Sequence, residues 1–593
     1  MSKEEASAKG YQKFDIILVT GDAYIDHPSF GVAVIGRSLE HAGFHVGIIA
    51  QPEWKNAEAF RKLGKPRLFF GVTAGNMDSM VSHYTPSQKK RHNDSYTPGG
   101  ASGLRPDMAT IVYANRCKEA FPDVPIVLGG IEASLRRFSH YDYWKDKVKP
   151  SILLDSKADI LVYGNGEKQA IEIARRLSLG ENIKNIQDIP GTVVKVKNVP
   201  AQAIMLPSHL HVSEDKAKYS EMFRILTFSN DNMVAQPVEH WYILQNQRCV
   251  YTQQDLDLVY SLPYQRIPHF SYIQPIPALA TVRHSVQTHR GCFGGCSFCA
   301  IYFHEGKRVI SRSEETILQE IQSITQCKGF GGTIDNVGGP TANMYGMDCK
   351  IGWCSSRPSC LFPQICKNLI ITHKAWLELL QKIRSMGSVK NVFVESGIRH
   401  DLFLADKPQY LEEFCKHYIS GQLKTAPEHC SNRVLHYMRK PPYSLHKEFQ
   451  KRYAEIAKKI GKKQYLVPYF MSSHPGCDTQ DMISLAQEIK SLGHFVEQVQ
   501  DFTPTPMTLA SCMYYTGHDP LTKEEVPVAR TLQQKKCQRA FLQSQDPKNY
   551  DILCKALNDA SRQDLIGKGP KCLIPEKKPG TGSPHAFSKK RKR

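Results

Sequence analysis

No run of about eighteen apolar residues occurs in this 593-residue chain, so no membrane-spanning helix is expected. The opening residues, Met1-Ser2-Lys3-Glu4-Glu5-Ala6, carry acidic side chains and no apolar stretch, and so do not read as a secretory signal. The expectation is a cytoplasmic protein with no membrane partner. Acidic charge is also in short supply. Lys plus Arg total 77 against 57 Asp plus Glu, a formal net charge of +20. Such an excess suits contact with RNA or another polyanion, and equally suits simple solubility. A hydrophobic content of 41% with 23% charged residues describes a globular chain, long enough for two to four domains.

Cysteine, in contrast, is plentiful at 17 residues. In a compartment that keeps thiols reduced, disulfides are not expected. Eight of the cysteines fall between Cys292 and Cys366, a clustering that favours metal sites. The first group is the loop Gly291-Cys292-Phe293-Gly294-Gly295-Cys296-Ser297-Phe298-Cys299. Three thiolates at C-x-x-x-C-x-x-C spacing can bind three irons of a 4Fe–4S cluster. The fourth iron is then open to a small molecule. The paired glycines let the backbone wrap closely round the cage. Zinc sites prefer paired C-x-x-C units and four ligands, so zinc fits this spacing poorly. Residues 284–290 alternate like a strand and residues 313–326 read as a helix. A ligand loop between strand and helix suits the active-site end of a βα-barrel.

The second group is Cys349, Cys354, Cys360 and Cys366, in one Gly-, Pro- and Ser-containing loop. Four thiols there suit either zinc or an auxiliary iron–sulfur cluster, with buried unpaired thiols as the remaining alternative.

The N-terminal third alternates strands (14–20, 45–50, 68–73, 126–128, 160–163) with helices, the first over 32–42, which predicts a doubly wound parallel sheet. Glycines at the strand ends, in 127–132 and 158–167, allow a ligand to approach the backbone. Residues 82–107 are polar and predict a long lid or an unstructured insertion. The segment 136–144 mixes Arg with aromatics, and either stacks a planar group or packs against a neighbouring domain. A connector follows over 206–280. Further strands are expected at 332–337, 391–396, 422–425, 464–470 and 495–503, with helices over 444–460 and 479–492. That makes about six βα units. Glu395, Ser396, Arg399, His400, Glu428, His429, Ser472, Ser473 and His474 lie at the ends of these strands, where a barrel places its chemistry.

The three-cysteine loop, with Phe298 before its last cysteine, resembles the signature of the radical S-adenosylmethionine (SAM) superfamily. The resemblance implies that Cys292, Cys296 and Cys299 bind a 4Fe–4S cluster whose open iron chelates SAM. Reductive cleavage of SAM would then give a 5′-deoxyadenosyl radical, with the electron coming from a reductase or a flavodoxin- or ferredoxin-type donor. Gly338-Gly339-Pro340 stands where that superfamily has Gly-Gly-Glu, so backbone carbonyls near Gly338 and Gly339 take over the SAM ammonium, with Ser396 as a further contact. The N-terminal strand ends resemble cobalamin-binding-like domains. The axial-histidine pattern Asp-x-His-x-x-Gly is absent, however, and His27 has the wrong spacing, so bound cobalamin is not expected. Residues 335–369, Glu395-Ser396-Gly397-Ile398-Arg399-His400-Asp401, Lys424-Thr425-Ala426-Pro427-Glu428-His429, Ser473-His474-Pro475-Gly476 and 500–506 together resemble YgiQ-type radical SAM proteins.

The expected layout is α/β: a doubly wound, cobalamin-binding-like domain (1–205), the connector (206–280), a partial (β/α)6 barrel (281–516), a helical region (517–566) and a basic unstructured tail (567–593). The tail's Lys589-Lys590-Arg591-Lys592-Arg593 suits nucleic-acid contact or nuclear import. The expected function is radical SAM catalysis, with catalytic residues and substrate left open. The alternative is a non-enzymatic iron–sulfur or zinc protein that binds nucleic acid.

Overall fold

The structure is a computed structural model that describes residues 3–578 apart from 355, 494, 495 and 497. The first half is built on a nine-stranded sheet. In chain order its strands are β1 (Ile16–Thr20), β2 (Val46–Ala50), β3 (Phe69–Thr73), β4 (Ile126–Leu128), β5 (Ile160–Val162), β6 (Thr192–Val196), β7 (Ile204–Met205), β8 (Val234–Val238) and β9 (Trp241–Gln245). Their spatial order is β7-β8-β9-β6-β5-β4-β3-β1-β2.

The first five strands are parallel in the doubly wound order 2-1-3-4-5, with the topological switch between β1 and β3. β1 is apolar almost throughout because both faces are covered. Ile16 and Leu18 pack with helix α1 (Gly31–His41) and with the later helix Glu167–Ser178, while Ile17 and Val19 pack on the side of helix α2 (Ala109–Ala120). We call the later helix α3.

Two expectations for this half differ from what is observed. The segment 206–280 is more than a bridge, since its β9 joins the sheet antiparallel to β6 and its β8 pairs antiparallel with β9. The polar stretch 82–107 is neither loose nor a lid. Arg105 is fully buried within it, 3.0 Å from Asp22 and 2.7 Å from Asp94, and these pairs pin the loop to the end of β1. Of the two expectations for segment 136–144, packing against a neighbouring part of the chain is the one observed: Arg137 donates to Gln245 and Asn230, and Tyr141 stacks on Tyr515.

The second half is a run of parallel strands. β10 (Ser285–Gln287) precedes the cysteine loop, and α4 (Ala300–Glu305) and α5 (Glu314–Thr325) follow it. Then come β11 (Thr333–Ile334), β12 (Asn336–Gly338), α6 (Lys374–Arg384), β13 (Asn391–Val392), β14 (Gln422–Glu428), α7 (Tyr443–Ile460), β15 (Tyr465–Ser472), α8 (Thr479–Ser491) and β16 (Val499–Asp501). β10 pairs with β12, β11 with β13, β14 with β15 and β15 with β16, all parallel, and an Ile398–Thr425 bridge links the two groups. One apolar core joins Ile317, Ile321 and Ile324 of α5, Trp376 and Leu380 of α6, and Phe449 of α7.

The C-terminal region docks through α9 (Leu532–Leu542). Lys535 on it donates to Tyr143 Oη at 2.7 Å and to Tyr514 Oη at 2.8 Å, and its ammonium also lies over both rings. Residues 567–578 were expected to be unstructured. They fold back instead, because Leu573 and Ile574 are buried and Gly567 N bonds to Ile574 O. The basic run 589–593 lies outside the described residues.

Burial pushes the Lys535 amine down from 10.5 to about 8. Between those values the unfolded chain binds more protons than the folded one, so stability rises with pH across the window. Chemical denaturation near pH 8 and near pH 10 is expected to show wild type gaining stability relative to Lys535→Met. A difference that stays constant with pH would contradict the caged-lysine geometry.

Candidate functional site

The cysteine loop leaves the carboxyl end of β10. Its first half is shaped by two glycines. Gly295 has φ +64°, and a Cβ on it would lie 2.7 Å from Ser359 Cβ. A Cβ on Gly294 would sit 3.3 Å from Cys292 Sγ and 3.9 Å from Cys296 Sγ. The backbone thus curls round the space between two thiols that any side chain would fill. Cys299 closes the loop at the start of α4.

The three thiols lie near one another. Burial, with the neighbouring Cys296 and Cys292, pushes the Cys299 thiol up to about 12, and burial with Cys296 raises that of Cys292. Three half-buried thiolates repel unless a cation sits among them, so the donor set fits a metal group that supplies positive charge. Among the described residues, no three His, Cys, Asp or Glu side chains are gathered closely enough to hold a single metal ion.

Polar groups approach the thiols from the strand ends. Thr341 Oγ1 lies 3.6 Å from Cys292 Sγ, and Arg399 Nη1 lies 3.7 Å from Cys296 Sγ. Asp401 grips the Arg399 guanidinium at 2.9 and 2.6 Å. Burial would raise the Asp401 carboxyl, but Arg399 outweighs it and holds the group down at about 2. On the far side Ser297 Oγ meets His474 Nε2 at 3.2 Å, and the Phe298 ring stands edge-on to His474.

Gly338 ends β12, and Pro340 leads into the same Thr341. Asn336 knits this turn to Ser396: its Nδ2 donates to Ser396 Oγ at 2.7 Å, and its Oδ1 accepts the Ser396 N–H at 3.0 Å. Gly338, Ser396 and the cysteine loop are therefore neighbours. The Gly338 carbonyl, however, already accepts Thr288 N–H at 2.7 Å, so it is less open to an ammonium than expected.

Other strand-end residues divide. Glu395 is exposed, whereas His400, Glu428, His429, Ser472, Ser473 and His474 are buried. Glu428 has φ +69° and Ser473 φ +63°, left-handed conformations that non-glycine residues seldom adopt. Lys440 Nζ is 3.9 Å from Glu428.

Sequence reasoning missed the partner of the loop's first residues. Arg290, beside Gly291, is buried with its Nη1 2.7 Å from Glu167 at the start of α3, and its Nε bonds Tyr260 Oη. Their separation in sequence left no local signal. Between the halves lies a cavity of about 400 Å³, walled by Thr20, Thr73, Gly129 and Gly164 at strand ends and by Arg290 and Glu305 beside the cysteine loop. It opens at the carboxyl edge of the parallel sheet, where ligands of this topology bind. His27 does not serve as a free axial base. It is fully buried, its Nδ1 accepts Ser29 N–H, and its Nε2 lies 2.8 Å from Arg266 Nη1.

The second cysteine group lies against the first. Ser359 Oγ donates to Gly294 O at 2.6 Å, and Cys360 N–H donates to Phe293 O at 3.0 Å.

A parallel sheet joined to a second set of parallel strands that carries a three-cysteine loop is the build of a radical SAM protein. The chain matches the Radical SAM N-terminal family over residues 1–285, and a domain of unknown function (DUF3362) over 497–593. It belongs to the UPF0313 family: it is 50% identical to a UPF0313 protein of Methanosarcina mazei over 97% of this chain and 99% of the relative. A Clostridium botulinum UPF0313 protein is also 50% identical, over 98% of this chain and 92% of the relative. Among solved structures, the radical S-adenosylmethionine methyltransferase TsrM from Kitasatospora setae, with tryptophan substrate and a SAM analogue bound, shares the fold with a TM-score of 0.50 at 15% identity. That likeness covers 83% of this chain and 75% of TsrM.

Proposed function

We propose that this chain is a radical SAM enzyme, with a partial six-unit barrel whose cysteine loop carries a 4Fe–4S cluster on Cys292, Cys296 and Cys299. The observation that carries the reading is the Gly294–Gly295 curl, which wraps two of the three thiols and leaves no fourth cysteine in the loop. When bound, the cluster supplies the electron that splits SAM into methionine and a 5′-deoxyadenosyl radical. The chain's own residues do the rest. Arg399, fixed by Asp401, places positive charge beside Cys296, which favours the reduced, more negative cluster. The Gly338–Gly339–Pro340 turn and Ser396 border the place where SAM would lie, and the Gly339 and Pro340 carbonyls are the acceptors offered to its ammonium. The sheet domain packs against the loop through the Glu167–Arg290 pair and so limits water's access to it. A flavodoxin- or ferredoxin-type protein, or its reductase, supplies the electron.

The test is spectroscopic. SAM added to the anaerobically reconstituted, dithionite-reduced chain is expected to change the cluster's EPR signal, because SAM occupies an open iron. An unchanged signal at saturating SAM would contradict the reading. This reading does not call on cobalamin, and His27 is engaged by Ser29 and Arg266. After incubation with hydroxocobalamin and gel filtration, cobalt is expected to fall well short of stoichiometric. Stoichiometric cobalt would instead assign the cavity to a corrinoid.

A further inference from the structure

We propose that Cys349, Cys354, Cys360 and Cys366 hold a second iron–sulfur cluster, which fastens the loop bearing Cys292, Cys296 and Cys299. Its presence stands on its own observations, and only its fastening role rests on the reading above.

Short backbone links draw three of the four residues together. Cys349 pairs antiparallel with Leu369, Lys350 N–H bonds Asn368 O at 2.8 Å, and Cys366 N–H bonds Cys360 O at 2.8 Å. The Cys366, Cys354 and Cys349 thiols all lie within electrostatic reach of Cys360. Zinc holds sulfur at about 2.3 Å, so its four thiolates must sit within about 4 Å of one another. No group that tight exists among the described residues. Thiols within electrostatic reach of one another yet not gathered about a single point suit a multi-iron cage.

The loop also needs something to hold it. Between Lys350 and Asn368 the described residues form no helix and no strand longer than a single bridge. Structureless stretches of this length are uncommon inside a compact domain unless they serve a site. Lys307, beside the loop, donates to Cys354 O and to Arg357 O, and puts positive charge next to the thiols. A cage with four thiolate ligands is anionic and favours such a neighbour.

Contact with the first loop is direct. Ser359 and Cys360 bond the carbonyls of Gly294 and Phe293, and Tyr302 Oη bonds Pro358 O. Phe293, Cys292, Trp353, Cys360 and Cys366 share one apolar cluster. A cage that locks the second loop therefore locks the bend between Cys292 and Cys296.

The experiment uses the full chain, reconstituted anaerobically with iron and sulfide and with zinc present. Wild type is expected to hold about eight irons and about eight sulfides, and the Cys292→Ala/Cys296→Ala/Cys299→Ala variant about four of each with its own EPR signal. Wild type with no more than about four irons, or a variant carrying zinc or no iron, would overturn the proposal. Replacing the four second-group cysteines by serine is expected to leave about four irons and to speed hydrogen exchange across residues 291–299 at least ~10-fold. Unchanged exchange would overturn the fastening role. Iron on the second group but none on the first would sink the SAM reading alone, and the converse would sink only this one.

Discussion

Cys296→Ala, reconstituted under the same conditions as wild type, is expected to lose the cluster on the first loop and with it all measurable SAM cleavage. The reason is ligand number. Cys292, Cys296 and Cys299 would each hold one iron, and removing one thiolate would leave an iron without a protein ligand. Losing an outer partner of a metal ligand typically costs about 10–100-fold in metal affinity or activity, so losing a ligand must cost more. Arg399→Met supplies the calibration. It leaves the sulfurs in place and removes only the guanidinium 3.7 Å from Cys296 Sγ, so a fall of about 10–100-fold is expected, together with a lower reduction potential. Retained cleavage in Cys296→Ala, or a larger loss in Arg399→Met, would contradict this ordering. Iron content and 5′-deoxyadenosine yield, measured on the same preparations, check it.

Glu167→Ala is expected to be the most destabilising single change in the sheet domain. Glu167 and Arg290 are both buried, paired at 2.7 Å, and Glu167 also accepts Tyr251 Oη at 2.8 Å. Truncating one member of such a pair leaves the other charged and unmatched, a loss of about 3–5 kcal/mol. The pair joins α3 of the sheet domain to the residue before Gly291, so iron retention should fall alongside stability. Denaturant unfolding of apo-protein measures the first effect, and iron per chain after reconstitution the second. A loss below about 1 kcal/mol would mean that the ion pair is not formed as described.

Local signals carried much of this into view before the fold was known. Apolar runs such as Ile16–Thr20 announced buried parallel strands, and the glycines between Cys292 and Cys296 announced a tight turn there, because both are written in consecutive residues. What stayed hidden depends on partners far apart in the chain. Arg105 looked like one more charge in a polar loop, until two carboxylates from elsewhere buried it. The β8–β9 hairpin looked like connector, since Pro237 in β8 and the polar Gln236 and Gln245 weaken the strand pattern. Those glutamines are buried because Gln236 accepts Ser139 N–H and Gln245 accepts from Arg137, contacts that no local reading supplies. The Gly338–Gly339–Pro340 turn lies beside Ser396 through Asn336, while the engagement of the Gly338 carbonyl by Thr288 could be seen only in three dimensions.

The most direct test of the central claim is a product assay. Anaerobically reconstituted chain, reduced with dithionite and given SAM, is expected to release 5′-deoxyadenosine and methionine in equal amounts, and to stop doing so once Cys292, Cys296 and Cys299 are all replaced. Iron-loaded, reduced protein that leaves SAM intact would show that the loop binds metal for some other purpose.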